Sequence, residues 1–129
     1  RIDLIVRGAC MLAPGVPSVS ERIRVRSIVG RFLEHSRIFY FRWGESDDDE
    51  VLYLSSADWM SRNLHRRIEV AWPIREPQLR QRVIDEALVP YLHDEVDAWE
   101  LAADGHYRRV AEQGLSAQQA LLRRYAPGS

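Results

Sequence analysis

Residues 29–41 of the chain read VGRFLEHSRIFYF and lead from one predicted β-strand into the next. The segment before them, IRVRSIV (residues 23–29), alternates apolar and basic residues and then becomes apolar, which predicts a strand with its arginines on one face. The segment after them, RIFYFRW (residues 37–43), is rich in aromatic and β-branched residues and predicts a second strand. Between the two we expect a helical turn through GRFLEH (residues 30–35). His35 therefore lies where a predicted helical turn enters a strand.

The other segments alternate between strand and helix patterns. EVLYLSS (residues 50–56) follows the charged turn GESDDD, so it is expected to form a hairpin with the strand before it. The remaining predicted elements are, in chain order, a strand buried on both faces (DLIVR, 3–7), a loop (APGVPSVSE, 13–21), a polar turn (ADWMSRNLHR, 57–66), a strand stopped by Pro73 (RIEVAWPI, 67–74), a helix over 76–89 with Pro77 in its first turn, two short strands about Asp104-Gly105, and a helix over 116–125. This order predicts an α/β fold with a mixed sheet flanked by helices, as a single domain over residues 1–129.

Composition excludes some classes of protein. The 129 residues carry 18 cations and 19 carboxylates, a formal net charge of −1, which argues against a protein held to nucleic acid by bulk charge. All of the cations are arginine, which reflects either codon usage or a preference for bidentate phosphate contacts. The single cysteine, Cys10, cannot form an internal disulfide. A strand pattern that begins at residue 1, without methionine, predicts a piece of a longer protein.

His35 differs from the other three histidines because arginines lie both beside it and on the strand predicted before it. Arg31 and Arg37 flank it, and Arg24 and Arg26 lie on the preceding strand. Guanidinium groups would draw a polyanionic phosphate to the imidazole and neutralise charge in a phosphoryl-transfer transition state. A histidine that attacks phosphorus forms a covalent phosphoimidazole. The alternative is a histidine that simply lies beside surface arginines, and spacing alone leaves both open.

Two further stretches carry polar groups where α/β proteins place their ligands. SSADWMSRN (residues 55–63) follows a strand end and supplies the ligand candidates Ser55, Ser56, Asp58, Arg62 and Asn63. In VRG (residues 6–8), Arg7 leaves an apolar strand just before a glycine, as a rigidly held phosphate clamp would. The histidines have no spacing that supplies three metal ligands, so no metal site is predicted.

Two long blocks of the sequence resemble the last catalytic domain of bacterial polyphosphate kinase, the ATP-linked type that works through a phosphohistidine. They are RIDLIVRGACMLAPGVPSVSERIRVRSIVGRFLEHSRIFYF (1–41) and LYLSSADWMSRNLHRRIEVAWPI (52–74). The resemblance continues more loosely to about residue 125. It implies a phospholipase D-like half domain, here a fragment, whose relatives carry His-x-Lys and a Gly-Ser-x-Asn-like turn. In this chain His35-Ser36-Arg37 and Ser55-Ser56-Ala57-Asp58 stand in those places, so arginine replaces lysine and aspartate replaces asparagine.

The resemblance also implies a role for this domain. Arg7 and His35 would contact the phosphates of ATP, and His35 would be a second essential histidine that assists transfer. The histidine that carries the phosphoryl group and most of the groups that bind Mg²⁺ would belong to the other half of the enzyme. The reaction would move the γ-phosphate of ATP reversibly onto inorganic polyphosphate, with ADP as the other product. Phosphate-binding roles for Arg24, Arg31, Arg37, Arg62 and Asn63 rest on charge and proximity alone.

The expected partners are ATP, inorganic polyphosphate and the rest of the same polypeptide, in a homo-oligomeric enzyme that binds no nucleic acid. The expected location is the cytoplasm, with peripheral association with the inner membrane as a further expectation. Two other functions stay open. One is a phospholipase D-like phosphodiesterase, in which His35 attacks a diester. The other is a polyanion-binding module without chemistry, whose phosphate binding would survive loss of His35 but not of Arg7.

Overall fold

The computed structural model of the chain describes residues 1–8 and 10–126, and for residues 62 and 64 it describes the backbone only. Its elements, in chain order, are β1 (Ile2–Ile5), β2 (Ile23–Ile28), β3 (Ile38–Arg42), β4 (Glu50–Ser55), α1 (Ser61–Arg66), β5 (Ala71–Pro73), α2 (Pro77–Ala87), α3 (Val89–Leu92), β6 (Ala98–Leu101), β7 (Tyr107–Arg109) and α4 (Ala117–Tyr125). They form two compact units, Arg1–Leu33 with Glu86–Ser129 and Glu34–Asp85. The expectation that residues 1–129 form a single domain remains a prediction, which this division into two units does not test.

The first unit contains a four-stranded mixed sheet in the order β1-β2-β6-β7. β1 runs parallel to β2, whereas β6 pairs antiparallel with both β2 and β7. Val25 on β2 is 1% exposed and Ala98 on β6 is fully buried, so the two central strands carry the apolar core of this unit. The predicted α/β fold with a mixed sheet is thereby confirmed. The hairpin about Asp104-Gly105 and the C-terminal helix also form as predicted.

Arg26 of β2 is a buried arginine beside this core. Its Nη2 donates to Glu100 at 2.7 Å, and its Nη1 donates to the carbonyl of Leu92 at 2.6 Å, at the C-terminus of α3. A buried cation is tolerated here because a carboxylate and the negative end of a helix both surround it. Arg24, two residues earlier on the same strand, is exposed and forms an ion pair with Asp3 at 2.8 Å. The two arginines of β2 thus hold its neighbours in place.

Gln118, on α4, decides the conformation of the chain after β2. The backbone N–H of Phe32 donates to its Oε1 at 2.9 Å, and its Nε2 donates to the carbonyl of Phe32 at 2.9 Å. A Cβ on Gly30 would lie 2.5 Å from that same Oε1, so the side chain of residue 30 has to be absent. Residues 29–37, all of which the structure describes, contain no helix. The expected helical turn was wrong because the amide of a distant glutamine already satisfies the backbone groups of Phe32.

The second unit contains an antiparallel sheet in the order β3-β4-β5. The predicted hairpin is confirmed, with Tyr40 opposite Leu52 at its centre, and Leu52 is fully buried. The predicted helix forms with Pro77 in its first turn, but it covers Pro77–Ala87, not residues 76–89, and the separate helix α3 begins at Val89. Strand β5 ends at Pro73, as predicted, although it begins only at Ala71 and not at residue 67. The missing N–H of Pro73 is harmless there because β5 is an edge strand.

Two further predictions were wrong. The strand at residues 3–7 was expected to be buried on both faces, yet no residue of β1 is buried and Ile5 is 36% exposed; β1 is the edge of its sheet and pairs only with β2. The polar turn expected over residues 57–66 contains helix α1. This helix has no acidic residue in its first turn and no side-chain cap, so the sequence lacks the usual signals of a helix start.

Glu50, at the start of β4, is the centre of a charged network that attaches α2 to the hairpin. It pairs with Arg80 of α2 at 2.7 Å and with Arg42 of β3 at 3.8 Å, and it accepts a hydrogen bond from the hydroxyl of Tyr40. The Tyr40 hydrogen bond, followed by the two positive charges, holds the pKa of Glu50 below its usual value of 4.5. The network therefore needs the ionised carboxylate.

A pH dependence of stability follows from Glu50. Because its folded pKa is lowered, its contribution is fully present above the usual value of 4.5 and is lost as the pH falls through the lower folded value. We expect urea unfolding to find Glu50→Gln less stable than the wild type at pH 7, with a difference that shrinks in acid. Glu45→Gln, an exposed change in the same turn, is the control. A difference that stays constant between pH 7 and pH 3 would contradict this role.

Candidate functional site

His35 lies in the second unit, exposed, in the segment that enters β3. Its main chain is tied to the strands through Arg37. The guanidinium Nη1 of Arg37 donates to the carbonyl of His35 at 3.3 Å, and the carbonyl of Arg37 accepts from the N–H of Ser55 at 2.9 Å. The imidazole is thus presented to solvent on a backbone that is attached to the end of β4.

Arg37 and Asp58 form an ion pair in this unit. The Nε of Arg37 donates to Oδ1 of Asp58 at 2.6 Å, a short charge-assisted bond. The hydrogen bond to Asp58 raises the pKa of Arg37, with smaller contributions from the charges of Asp58 and Glu69, although partial burial opposes the shift. The pair joins the residue two positions after His35 to the turn that follows β4.

The turn after β4 is held by its own serines. Ser55 Oγ accepts from the N–H of Ala57 at 3.0 Å. Ser56 Oγ donates to the carboxylate of Glu69 and accepts from the N–H of Val70 at 3.0 Å. Both hydroxyls, predicted as phosphate ligands, therefore shape the turn.

Asn63 is a buried polar residue beside this turn. It is 4% exposed, and its Nδ2 donates to the carbonyl of Asp58 at 3.3 Å. Its Oδ1 has no hydrogen-bond partner among the described residues. A buried acceptor without a donor is costly, so this atom is suited to a donor group or water from outside the described chain. The side chain of Arg62, also predicted here, lies outside the described residues.

The second unit thus brings together six of the predicted residues: His35, Arg37, Ser55, Ser56, Asp58 and Asn63. Sequence reasoning missed Glu69, which anchors Ser56 and whose charge acts on Arg37. A carboxylate within the apolar run of RIEVAWPI was the signal that could have identified it. Trp59 packs on Phe39 with ring centroids 5.2 Å apart, so the aromatic residue in the turn is a packing group.

Three predicted arginines belong to the first unit, and each has a different environment. Arg7 is exposed and donates to the carbonyl of Phe32 at 3.2 Å, and the chain turns directly after it at Gly8, whose φ is 102°. Arg24 is paired with Asp3, as described above. The guanidinium of Arg31 lies 5.7 Å from the ring centroid of Phe32.

Arg7 also lines a pocket of about 360 Å³ within the first unit. Its other lining residues are Gly8, Ser27, Val29, Trp99 and Tyr107. Arg7 is the only residue with a formal charge among these six, and the pocket wall is otherwise mostly apolar. A phosphate that reaches this pocket would meet a single, exposed guanidinium.

The described residues contain neither a group of metal ligands nor a membrane-spanning helix. Residues 1–8 and 10–126 contain no group of three or more His, Cys, Asp and Glu side chains that could hold a metal ion. In the same part of the chain, no helix is both long and apolar enough to span a bilayer.

Comparison with known proteins identifies the family. Residues 1–120 match the family described as polyphosphate kinase C-terminal domain 2. The polyphosphate kinases of Burkholderia cenocepacia (strain HI2424) and Paraburkholderia phytofirmans are 57% and 55% identical to the chain over 127 residues, which is 97% of this chain and 18% of each relative. The crystal structure of polyphosphate kinase from Porphyromonas gingivalis superposes with a TM-score of 0.85 at 42% identity, over 95% of this chain and 19% of that one.

The chain therefore spans about a fifth of the length of these proteins. The family match covers most of the chain, including all of the second unit, most of the first and every predicted site residue. The chain belongs to the polyphosphate kinase C-terminal domain 2 family.

Proposed function

We propose that this chain supplies part of the active site of a polyphosphate kinase, which transfers the γ-phosphate of ATP reversibly to inorganic polyphosphate. The observation that carries the proposal is the identity of 57% to a polyphosphate kinase over 97% of the chain. The exposed His35 and the exposed Arg7 support it, because both are available to a polyanionic substrate.

In this proposal, a histidine in the rest of the polypeptide is the nucleophile. Its nitrogen forms a bond to the γ-phosphorus of ATP while the bond from that phosphorus to the β–γ bridging oxygen breaks, and ADP leaves with that oxygen. A terminal oxygen of polyphosphate then attacks the phosphoimidazole, which frees the histidine and lengthens the polymer by one phosphate. Each step develops negative charge on phosphate oxygens, which suits stabilisation by guanidinium and imidazole groups.

Arg7 and His35 have separate tasks in these steps. Arg7 binds the phosphates of ATP, since a guanidinium offers parallel N–H donors to phosphate oxygens. His35 assists transfer, either by exchanging a proton with the departing or attacking oxygen or by positioning the phosphate. The described residues offer no carboxylate or histidine cluster for Mg²⁺, so we assign that ion mainly to the rest of the enzyme.

The test compares the complete enzyme with this chain alone. A full-length polyphosphate kinase that carries this domain is expected to make polyphosphate from ATP labelled on the γ-phosphate, whereas the isolated 129 residues make none. Polymer synthesis by the isolated chain would overturn the shared site. Absence of synthesis by the full-length protein, or cleavage of phosphodiesters by it, would overturn the proposed reaction.

A further inference from the structure

The segment that carries His35 is attached to the turn after β4 by the Arg37–Asp58 pair. We infer that this ion pair is a positioning device for His35, which holds its backbone in place, and that Arg37 is not primarily a phosphate ligand. The inference rests on the proposed function, because it concerns how the same site is organised. In this inference Arg37 and Asp58 together position His35, whereas the sequence alone had suggested that each of them contacts phosphate separately.

The hydrogen bonds of the Arg37 guanidinium favour a positioning role. Two of its three nitrogens already have acceptors, since Nε donates to Asp58 at 2.6 Å and Nη1 donates to the carbonyl of His35 at 3.3 Å. To clamp a phosphate through Nε, Arg37 would have to break the bond to Asp58. Arg7, in contrast, donates to one backbone carbonyl of the described residues, that of Phe32 at 3.2 Å, and its side chain is exposed.

The charge and the burial of Arg37 also favour a positioning role. A guanidinium paired with a carboxylate at 2.6 Å presents almost no net charge to a polyanion at a distance. The side chain of Arg37 is only 23% exposed, so much of it is withdrawn from solvent. A partly buried pair of this kind is better suited to fixing a conformation than to attracting a highly charged ligand.

The Arg37–Asp58 pair connects two segments that are distant in the sequence. Its bond closes a loop of 21 residues, from the segment that enters β3 to the turn that leaves β4. At the Arg37 end, the backbone continues the sheet through the Ser55 N–H. At the Asp58 end, the buried Asn63 donates to the backbone carbonyl. Both ends of the pair are anchored, so the carbonyl of His35 is held against a rigid support.

Positioning and phosphate binding predict different kinetics. A misplacement of a catalytic group by about 1 Å can cost on the order of 10²-fold in rate. If the pair positions His35, removing either partner lowers kcat and leaves the KM for ATP little changed. If Arg37 binds phosphate, its removal raises KM, and removal of Asp58 strengthens binding by unmasking the guanidinium.

The experiment is a double-mutant cycle in a full-length polyphosphate kinase that carries this domain, with Arg37→Ala, Asp58→Ala and the double variant. We expect each single change to lower kcat by roughly 10- to 100-fold, with the KM for ATP within about threefold of wild type. The double variant should lose no more than the worse single one, because both remove the same contact. Asp58→Glu, which restores the carboxylate, should recover part of the lost kcat.

Controls separate the inference from folding defects and from the proposed function. Arg75→Ala removes an exposed arginine of the same unit and should leave both constants unchanged. If Asp58→Ala fails to fold, as judged by thermal melting, Asp58→Asn replaces it in the cycle. Additive losses, or a KM that rises with Arg37→Ala and falls with Asp58→Ala, would overturn the inference while the wild type still makes polymer. A wild type that makes no polymer overturns the proposed function itself.

Discussion

Replacing His35 with alanine in a full-length polyphosphate kinase should reduce polymer synthesis by roughly 10²- to 10⁴-fold, the range expected when a group that assists proton transfer is removed. The protein should nevertheless still take up label from ATP labelled on the γ-phosphate. The reason is that, in the proposed function, the phosphohistidine forms on a histidine in the other half of the enzyme. The measurement is acid-labile, alkali-stable protein label, assayed beside polymer formation.

The matched control is His106→Ala, which removes an exposed histidine from the turn between β6 and β7. It should leave label and polymer unchanged. ATP binding by His35→Ala must also be measured, because a loss of binding would mimic a loss of chemistry. If binding is normal and the label disappears with His35→Ala alone, the nucleophile has been misassigned and His35 itself is the leading candidate.

Arg7→Lys should weaken ATP binding by about 10-fold, and Arg7→Ala by roughly 10- to 100-fold. A hydrogen bond to a charged group is worth about 1.5–3 kcal/mol, and each 1.4 kcal/mol is about a factor of ten. Lysine retains the charge but replaces a planar fork with a point charge, so it should restore only part of the affinity. Isothermal titration of the full-length protein with ATP measures both values. Unchanged affinity would remove Arg7 from the phosphate site.

Arg22→Ala is the control for Arg7, because Arg22 is an exposed arginine of the same unit. The Arg7 and His35 variants, compared with each other, also distinguish an enzyme from a simple polyanion-binding module. Such a module would bind polyphosphate equally well after His35→Ala and would lose binding with added salt. The enzyme should combine weaker binding on loss of Arg7 with a loss of transfer, at nearly normal binding, on loss of His35.

Local sequence patterns predicted most of the elements because their signals lie within a few residues. The hairpin of β3 and β4 follows from two aromatic and β-branched runs around a charged turn. The start of α2 follows from Pro77, which suits a first helical turn. The resemblance to polyphosphate kinase also came from the sequence and agrees with the family match over residues 1–120, and it is the source of the prediction that Arg7 and His35 contact ATP.

The contacts of individual residues were decided by the tertiary structure, because their partners are distant in the sequence. The residues after β2 avoid a helical turn because Gln118, 86 positions later, pairs with Phe32. Arg37 lies beside His35 in the sequence, but Asp58, 21 positions away, determines where its guanidinium is held.

The sequence by itself thus determined the fold class, the family and which side chains are present for phosphate chemistry. Only the tertiary structure decided which arginines are paired with a carboxylate. Among the described residues, Arg24 is held by Asp3 and Arg37 by Asp58, whereas Arg7 donates to the backbone carbonyl of Phe32. The physical reason is that strand and helix signals are short-range, while an ion pair depends on which distant residue the folded chain brings to within about 4 Å.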